Sequence, residues 1–143
     1  EIVKDFLKQI FAGLAGNPTV VHCTLLAITR IYYAFKDVFP EEVIEMLVNN
    51  VCLLLTSHSK EVVGSAISFL RVFVTTDSVL KIAKYVENIV GSLVKMPESC
   101  QRHFRLKSRY LLDRLTRKFG FDFISAMIPK DDVVMQKRMK NIR

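Results

Sequence analysis

Apolar residues recur along this chain at steps of three and four. Val21, Leu25, Ile28, Tyr32 and Phe35 form one such stripe, the signature of a helix with one buried face. Asn17-Pro18 opens that helix. Asn is a good N-cap, and Pro fits the first helical position, where an N–H has no partner to lose. Phe39-Pro40 closes it, and a helix over residues 2–14, ending near Gly16, precedes it. The pattern then predicts a helix from Glu41 to about Thr56, with Val43, Leu47, Val51 and Leu54 on one face. Glu41 and Glu42 fall in its first turn, where the helix dipole favours negative charge. After a Ser57-His58-Ser59 turn, with Ser59 as N-cap, comes a helix presenting Val63, Ala66, Leu70 and Phe73. Asp77 is placed to cap the next, which presents Val79, Ile82, Val86, Ile89 and Leu93 and ends at Pro97. A long basic helix follows over about 100–119, stopping before Gly120. A short helix then runs from Phe121 to Ile128 and ends at Pro129. The final helix is capped by Asp131 or Asp132 and presents Met135, Met139 and Ile142. No stretch alternates as a strand would, and no Asn-Gly or Asp-Gly hairpin turn occurs.

Helix pairs begin near Asn17, Ser59 and Glu98 to Cys100, a period of about 40 residues. The pairs cover about 17–57, 59–96 and 98–128, with a terminal helix over 131–143. One helix pair cannot bury both of its helices alone, whereas stacked pairs share a continuous core. Ile44 and Val48 beside Val43 and Leu47 make that helix apolar on more than one face, as a helix sandwiched between neighbours must be. The fold expected is therefore all-α: a HEAT-type solenoid fragment of about three helix pairs plus flanking helices. The repeat favours it over a closed bundle of eight helices. The chain opens on Glu1 and stops within a helical run at Arg143, which reads as a single segment of a larger protein.

Charge changes this picture in one place. The net charge is +7, but residues 1–99 hold nine Lys/Arg against ten Asp/Glu, while residues 100–143 hold twelve against four. On the basic helix, Phe104, Ser108, Leu111, Leu112, Leu115 and Phe119 share one face. Arg102, Arg105, Lys107, Arg109, Arg114, Arg117 and Lys118 take the rest of the circumference, and Lys137, Arg138, Lys140 and Arg143 continue the pattern on the last helix. Asp113 lies four residues from both Arg109 and Arg117. Exposed pairs of that kind are worth only about 0.3–0.5 kcal/mol, too little to explain seven cations on one helix. A solvated face is the plain alternative. A one-sided patch suits a polyanion, because Arg offers a planar fork to phosphate and Lys a point charge. Tyr110 is the one ring expected to be exposed on this helix, so stacking of single-stranded bases has little support. A structured RNA or an acidic protein fits better.

Catalytic chemistry is not evident. His22, His58 and His103 stand apart from one another, and adjacent His22 and Cys23 point in different directions on a helix, so no metal site is expected. Cys23, Cys52 and Cys100 are odd in number and form no C-x-x-C pair, as expected of buried free thiols in a reducing compartment. No phosphate-binding glycine loop or nucleophile elbow occurs. Glu41, Glu42 and Glu45 read as solvated acids on an exposed helix start. No apolar run approaches the roughly 18–20 residues that span a bilayer.

The C-terminal third carries a resemblance. Cys100-Gln101-Arg102-His103-Phe104-Arg105-Leu106-Lys107, then Leu111 to Leu115, then Arg117-Lys118-Phe119-Gly120-Phe121, resembles the C-terminal HEAT-repeat region of the ribosomal RNA-processing protein 12 family. Ile128-Pro129 and Lys140-Asn141-Ile142-Arg143 resemble the close of those repeats, while Lys130 to Met139 departs from the family pattern. Residues 1–97 fit only as generic helical repeats. The resemblance implies a nuclear and nucleolar scaffold without enzymatic activity, cofactor, small-molecule substrate or membrane. It implies a role in maturation of 18S rRNA and export of pre-ribosomes. Its implied partners are pre-ribosomal RNA, small-subunit assembly factors and the Ran/karyopherin transport machinery. It makes Phe104, Phe119 and Phe121 core positions and the intervening Arg and Lys contacts to RNA or protein. The competing reading is a karyopherin-like or tubulin-binding adaptor whose basic face docks acidic proteins without RNA.

Overall fold

The computed structural model describes Ala12, residues 16–76 and residues 78–142. The helix expected over 2–14, the Asp77 cap, Arg143 and the side chain of Ile142 lie outside the described residues. Among those described, every regular element is helical. Helix α1 spans Pro18–Phe35 and leads through a 3₁₀ turn, Lys36–Val38, to α2, Glu41–Leu54. Then come α3 (Lys60–Thr76), α4 (Val79–Ala83), α5 (Val86–Lys95), α6 (Glu98–His103), α7 (Arg105–Phe119), α8 (Phe121–Ser125) and α9 (Val133–Ile142). The caps follow the local chemistry. Asn17 Oδ1 accepts from the Val20 N–H at 3.0 Å, and Asp132 Oδ1 from the Met135 N–H at 3.1 Å. Each satisfies one of the donors a helix start leaves over. Ser59 Oγ lies at 3.5 Å from the Val62 nitrogen, a long cap.

The helices stack in two rows. Helix α1 packs along α3 and α3 along α7, while α2 packs on α3 and α5. Helix α8 folds back on α7, and α9 lies against both. The core is continuous from Val21 to Met139. Tyr32 sits at its aromatic centre, with ring centroids 5.3 Å from Phe39, 5.4 Å from Phe69 and 6.2 Å from Phe73. Polar side chains record the stacking interval. His22 meets Ser65, Glu41 meets Lys84 and Tyr85, Asn49 meets Asn88, and Lys118 meets Val74, each pair 39–44 residues apart. Equivalent positions of successive helix pairs thus touch, which is the contact pattern of an all-α helical-repeat fragment.

The structure departs from the apolar stripes at their ends. Phe35 is 59% exposed, because the chain leaves the α1 cylinder there for the 3₁₀ turn. Val79, in the first turn of α4, is also exposed, and Leu55 rather than Leu54 is fully buried. The helix expected from Val79 to Leu93 is two helices, hinged at Lys84-Tyr85. The basic helix is likewise two, α6 and α7, broken at Phe104 (φ −103°, ψ 25°). The Phe104 ring is turned inward against Gly64, where a Cβ would stand 3.2 Å from it. Helix α8 ends at Ser125, short of Ile128. Cys52 and Cys100 are buried thiols as expected, but Cys23 is exposed.

Two stability tests follow. Gly91, within α5, has open space where a Cβ would go, so Gly91→Ala should stabilise by about 0.5–1 kcal/mol through helix propensity alone. Gly64→Ala must push the Phe104 ring and should gain less or destabilise; equal denaturation midpoints for the two variants would remove Phe104 from the interface between pairs. The second test is alkaline. Burial pushes the Cys52 thiol from 9.0 up to about 11, against a hydrogen bond from Ser92. Burial, then the Glu41 carboxylate, pushes the Tyr85 phenol from 10.0 up to about 12. Both folded-state values lie above the unfolded ones, so this stabilisation is whole below pH 9.0 and is lost as pH rises through about 11 and then about 12. Melting temperatures should fall through that window, and Cys52→Val should delay the onset; an onset unchanged by that substitution would contradict a buried neutral thiol.

Candidate nucleic-acid interface

The basic surface is built by α6, α7 and α9. Ser108, Leu111, Leu112 and Leu115 bury one face of α7, with Phe104 at its head, so the cations must occupy the remaining arc. Gly120 ends the helix with φ +94°, a left-handed conformation that glycine adopts without strain and that turns the chain into α8.

The predicted cations divide into two groups. Arg102, Arg105, Lys107, Arg109, Lys137 and Lys140 are exposed, and among the described residues no carboxylate lies within ion-pair distance of them. Lys107 Nζ stands 5.7 Å over the Phe104 ring, and Arg109 donates to the Asn141 carbonyl at a long 3.4 Å. The expected Asp113 pairing holds for Arg117, whose Nε is 3.3 Å from Oδ2, and is not formed with Arg109, which reaches α9 instead. The second group is half-buried and touches neighbouring side chains or backbone. Arg114 Nε donates to the Tyr110 hydroxyl at 3.1 Å, and Arg138 lies 3.7 Å from the Met135 sulfur. Lys118 is a correction: it is half-buried, and its Nζ donates to the Val74 carbonyl at 2.6 Å. The last turn of α3 has carbonyls without helical partners and the negative end of the dipole, so this lysine serves the fold.

Arg102 and Arg105 face Lys137 and Arg138 across a groove of about 690 Å³ between the α6–α7 junction and α9. Val133 and Val134 line the same groove, and Asn141 stands at its far end. Arg117 is not part of this cluster; it stands twelve residues, or about 18 Å, further along α7 than Arg105. Lys140 opens instead on a hollow shared with Asp122, Lys130 and Gln136.

Sequence reasoning missed Arg71. It belongs to α3, yet its guanidinium carbon lies 4.6 Å from the Tyr110 ring centroid, with Arg114 at 5.3 Å. The signal was present, since Tyr110 follows Arg71 by one repeat interval. Tyr110 is thereby half-buried rather than an exposed ring. Hydrogen bonding from Arg114, opposed by burial and aided by both arginine charges, holds its phenol below the usual range. The acids behave differently from expectation at one position. Glu41 Oε1 pairs with Lys84 Nζ at 3.1 Å and accepts from the Tyr85 hydroxyl at 3.2 Å. These bonds, opposed by partial burial, hold its carboxyl below the ordinary value. It ties α2 to the α4–α5 hinge.

Among the described residues no cluster of three His, Cys, Asp or Glu could hold a metal ion, and no helix is long and apolar enough to cross a membrane. The molecule is in class an all-α helical-repeat segment whose distinctive chemistry is a cationic outer surface. Its sequence is homologous to one segment of the ribosomal RNA-processing protein 12 group. It is 35% identical over 143 residues to an RRP12-like protein of Gallus gallus, spanning 100% of this chain and 11% of that protein. It is 37% identical over 131 residues to an RRP12-like protein of Homo sapiens, spanning 92% of this chain and 10% of that protein. Ribosomal RNA-processing protein 12 of Saccharomyces cerevisiae is 29% identical over 142 residues, 99% of this chain and 11% of its own length. The chain therefore spans about a tenth of the length of these relatives. The similarity runs through residues 1–97 as well, which the sequence motifs alone placed only as generic repeats. No family model matches the chain.

The division of the cations is testable. Lys118→Met should lower unfolding free energy by about 1 kcal/mol, the net worth of a hydrogen bond from a charged donor at a half-exposed site. Arg105→Met should leave it within about 0.5 kcal/mol, as for most surface changes. Equal denaturation midpoints would mean that Lys118 belongs with the free cations.

Proposed function

We propose that this segment is a non-catalytic scaffold of HEAT type in ribosome biogenesis, and that its basic surface holds the phosphate backbone of precursor ribosomal RNA. One observation carries the reading. Five exposed cations, Arg102, Arg105, Lys107, Arg109 and Lys137, line adjoining parts of one surface with no described carboxylate in ion-pair reach. Like charges held together cost folding free energy, and a polyanion that releases counterions on binding offsets that cost. The printed name of the Saccharomyces cerevisiae relative, ribosomal RNA-processing protein 12, supports the same polyanion. The exposed rings that stack single-stranded bases are not part of this surface, so contact is with backbone and shape rather than sequence. Within this reading the segment serves small-subunit (18S rRNA) maturation and nuclear export of pre-ribosomes. It acts in the nucleus and nucleolus, alongside assembly factors and the Ran/karyopherin machinery.

The test is binding to structured RNA across a salt series, beside a variant carrying Arg102→Glu, Arg105→Glu, Lys107→Glu and Arg109→Glu. These side chains are exposed, so the variant should fold, which circular dichroism checks. The logarithm of affinity should fall linearly with the logarithm of salt, and the variant should lose about one unit of slope for each phosphate contact removed. No binding at low salt by the unaltered chain would transfer the basic surface to an acidic protein partner.

A further inference from the structure

The groove between the α6–α7 junction and α9 carries a feature that phosphate binding does not use. Val133 and Val134, in the first turn of α9, are 74% and 56% exposed, and both line it. Leu106, 78% exposed, stands on the same stretch of α7 as Arg102, Arg105 and Arg109. These side chains have no part in the core: Met135 and Met139 provide the buried contacts of α9. Around the valines stand Arg102 and Arg105 on one wall and Lys137 and Arg138 on the other, with no acidic residue in the lining. Arg109, whose guanidinium donates to the Asn141 carbonyl at 3.4 Å, links α7 to the far end of α9.

An apolar floor inside a cationic rim is complementary to a chain that is apolar at its centre and acidic at its edges. RNA presents no aliphatic group to cover the valines, and an anionic lipid surface would need a flat or protruding face rather than a groove between two helices. We propose that this groove is a docking site for an acidic peptide segment of a partner protein. The segment would seat an aliphatic or aromatic side chain on Val133 and Val134 and set Asp or Glu against Arg102, Arg105, Lys137 and Arg138. The apolar contact gives the segment its hold and the cations give its orientation and rate of capture. Arg102, Arg105 and Lys137 also belong to the surface proposed for RNA, but the site rests on the valines, which that reading does not use.

The experiment measures fluorescence anisotropy of three labelled probes against the 143-residue chain. One is a Glu/Asp-rich peptide with Leu and Phe anchors, the second is the same peptide with Ser in place of the anchors, and the third is a structured RNA. The anchored peptide should bind about tenfold more tightly than the serine peptide, as expected when a valine pair's methyl groups leave water. Val133→Ser with Val134→Ser should abolish that difference and leave RNA affinity unchanged. Both side chains are exposed, so the fold is retained, and a melting curve verifies it. Equal binding of the two peptides by the unaltered chain would overturn the proposal. So would a loss of RNA affinity on serine substitution as large as the loss of peptide affinity, since the groove would then be part of the RNA track. Failure of the RNA reading has a different signature: no RNA binding at low salt, with discrimination between the peptides intact.

Discussion

Everything in this structure depends on the need of each helix pair for a neighbour. Two amphipathic helices packed together leave apolar surface on their outer flanks, and only the next pair covers it. The interval of about 40 residues is set by that stacking. It decides which side chains meet: Phe104 over Gly64, Tyr110 beside Arg71, Lys118 on Val74, Lys84 on Glu41. It also decides where charge can go. Helix α7 packs on α3, α8 and α9 and buries the face that carries Leu111, Leu112 and Leu115, so its cations are left to the remaining circumference. Arg102, Arg105, Lys137 and Arg138, spaced along the sequence, are thereby brought to one groove.

The fold was legible because each helix is governed by local chemistry. Asn17-Pro18 and Asp132 start helices where the pattern places them, and Gly120 stops one where a positive φ is required. The buried stripes Val63, Ala66, Leu70, Phe73 and Leu111, Leu112, Leu115 follow from spacing alone. The misses share a cause: periodicity gives a face but not the point at which the helix axis bends. Phe104 reads as one more residue of a long basic helix. It ends α6 because its ring fills the space above Gly64, a residue forty positions earlier. Phe35 and Val79 sit at helix ends where the stripe still points inward but no neighbour stands opposite.

The site was legible as a charge excess and not as a geometry. A helical wheel assigns every cation of α7 the same standing, yet Lys118 and Arg105 do different things. Lys118 lies at the end of α7 that runs past the last turn of α3, whose open carbonyls draw its ammonium inward. Arg105 lies at the end where α9 approaches, and meets other cations. Arg71 escaped because residues 1–99 are close to neutral as a block, and a single arginine there carries no compositional signal. Only the repeat interval connects it to Tyr110, where two guanidiniums fix a ring that would otherwise be free.

Two kinds of surface coexist on this edge, and their physics differs. Exposed cations act at a distance of about 8–10 Å through salt water, weaken as salt rises, and tolerate any polyanion of suitable width. Exposed valines act only on contact, are indifferent to salt, and require a matching apolar group. Had selection favoured phosphate alone, polar side chains at positions 133 and 134 would carry less exposed apolar surface at no cost to the core, since Met135 and Met139 already anchor α9. Aliphatic residues at both positions, inside a ring of four cations, therefore point to a second partner with its own apolar group. The two surfaces share Arg102, Arg105 and Lys137, so an acidic segment seated on the valines competes with phosphate for those three cations, and rising salt weakens the phosphate contact more than the apolar one.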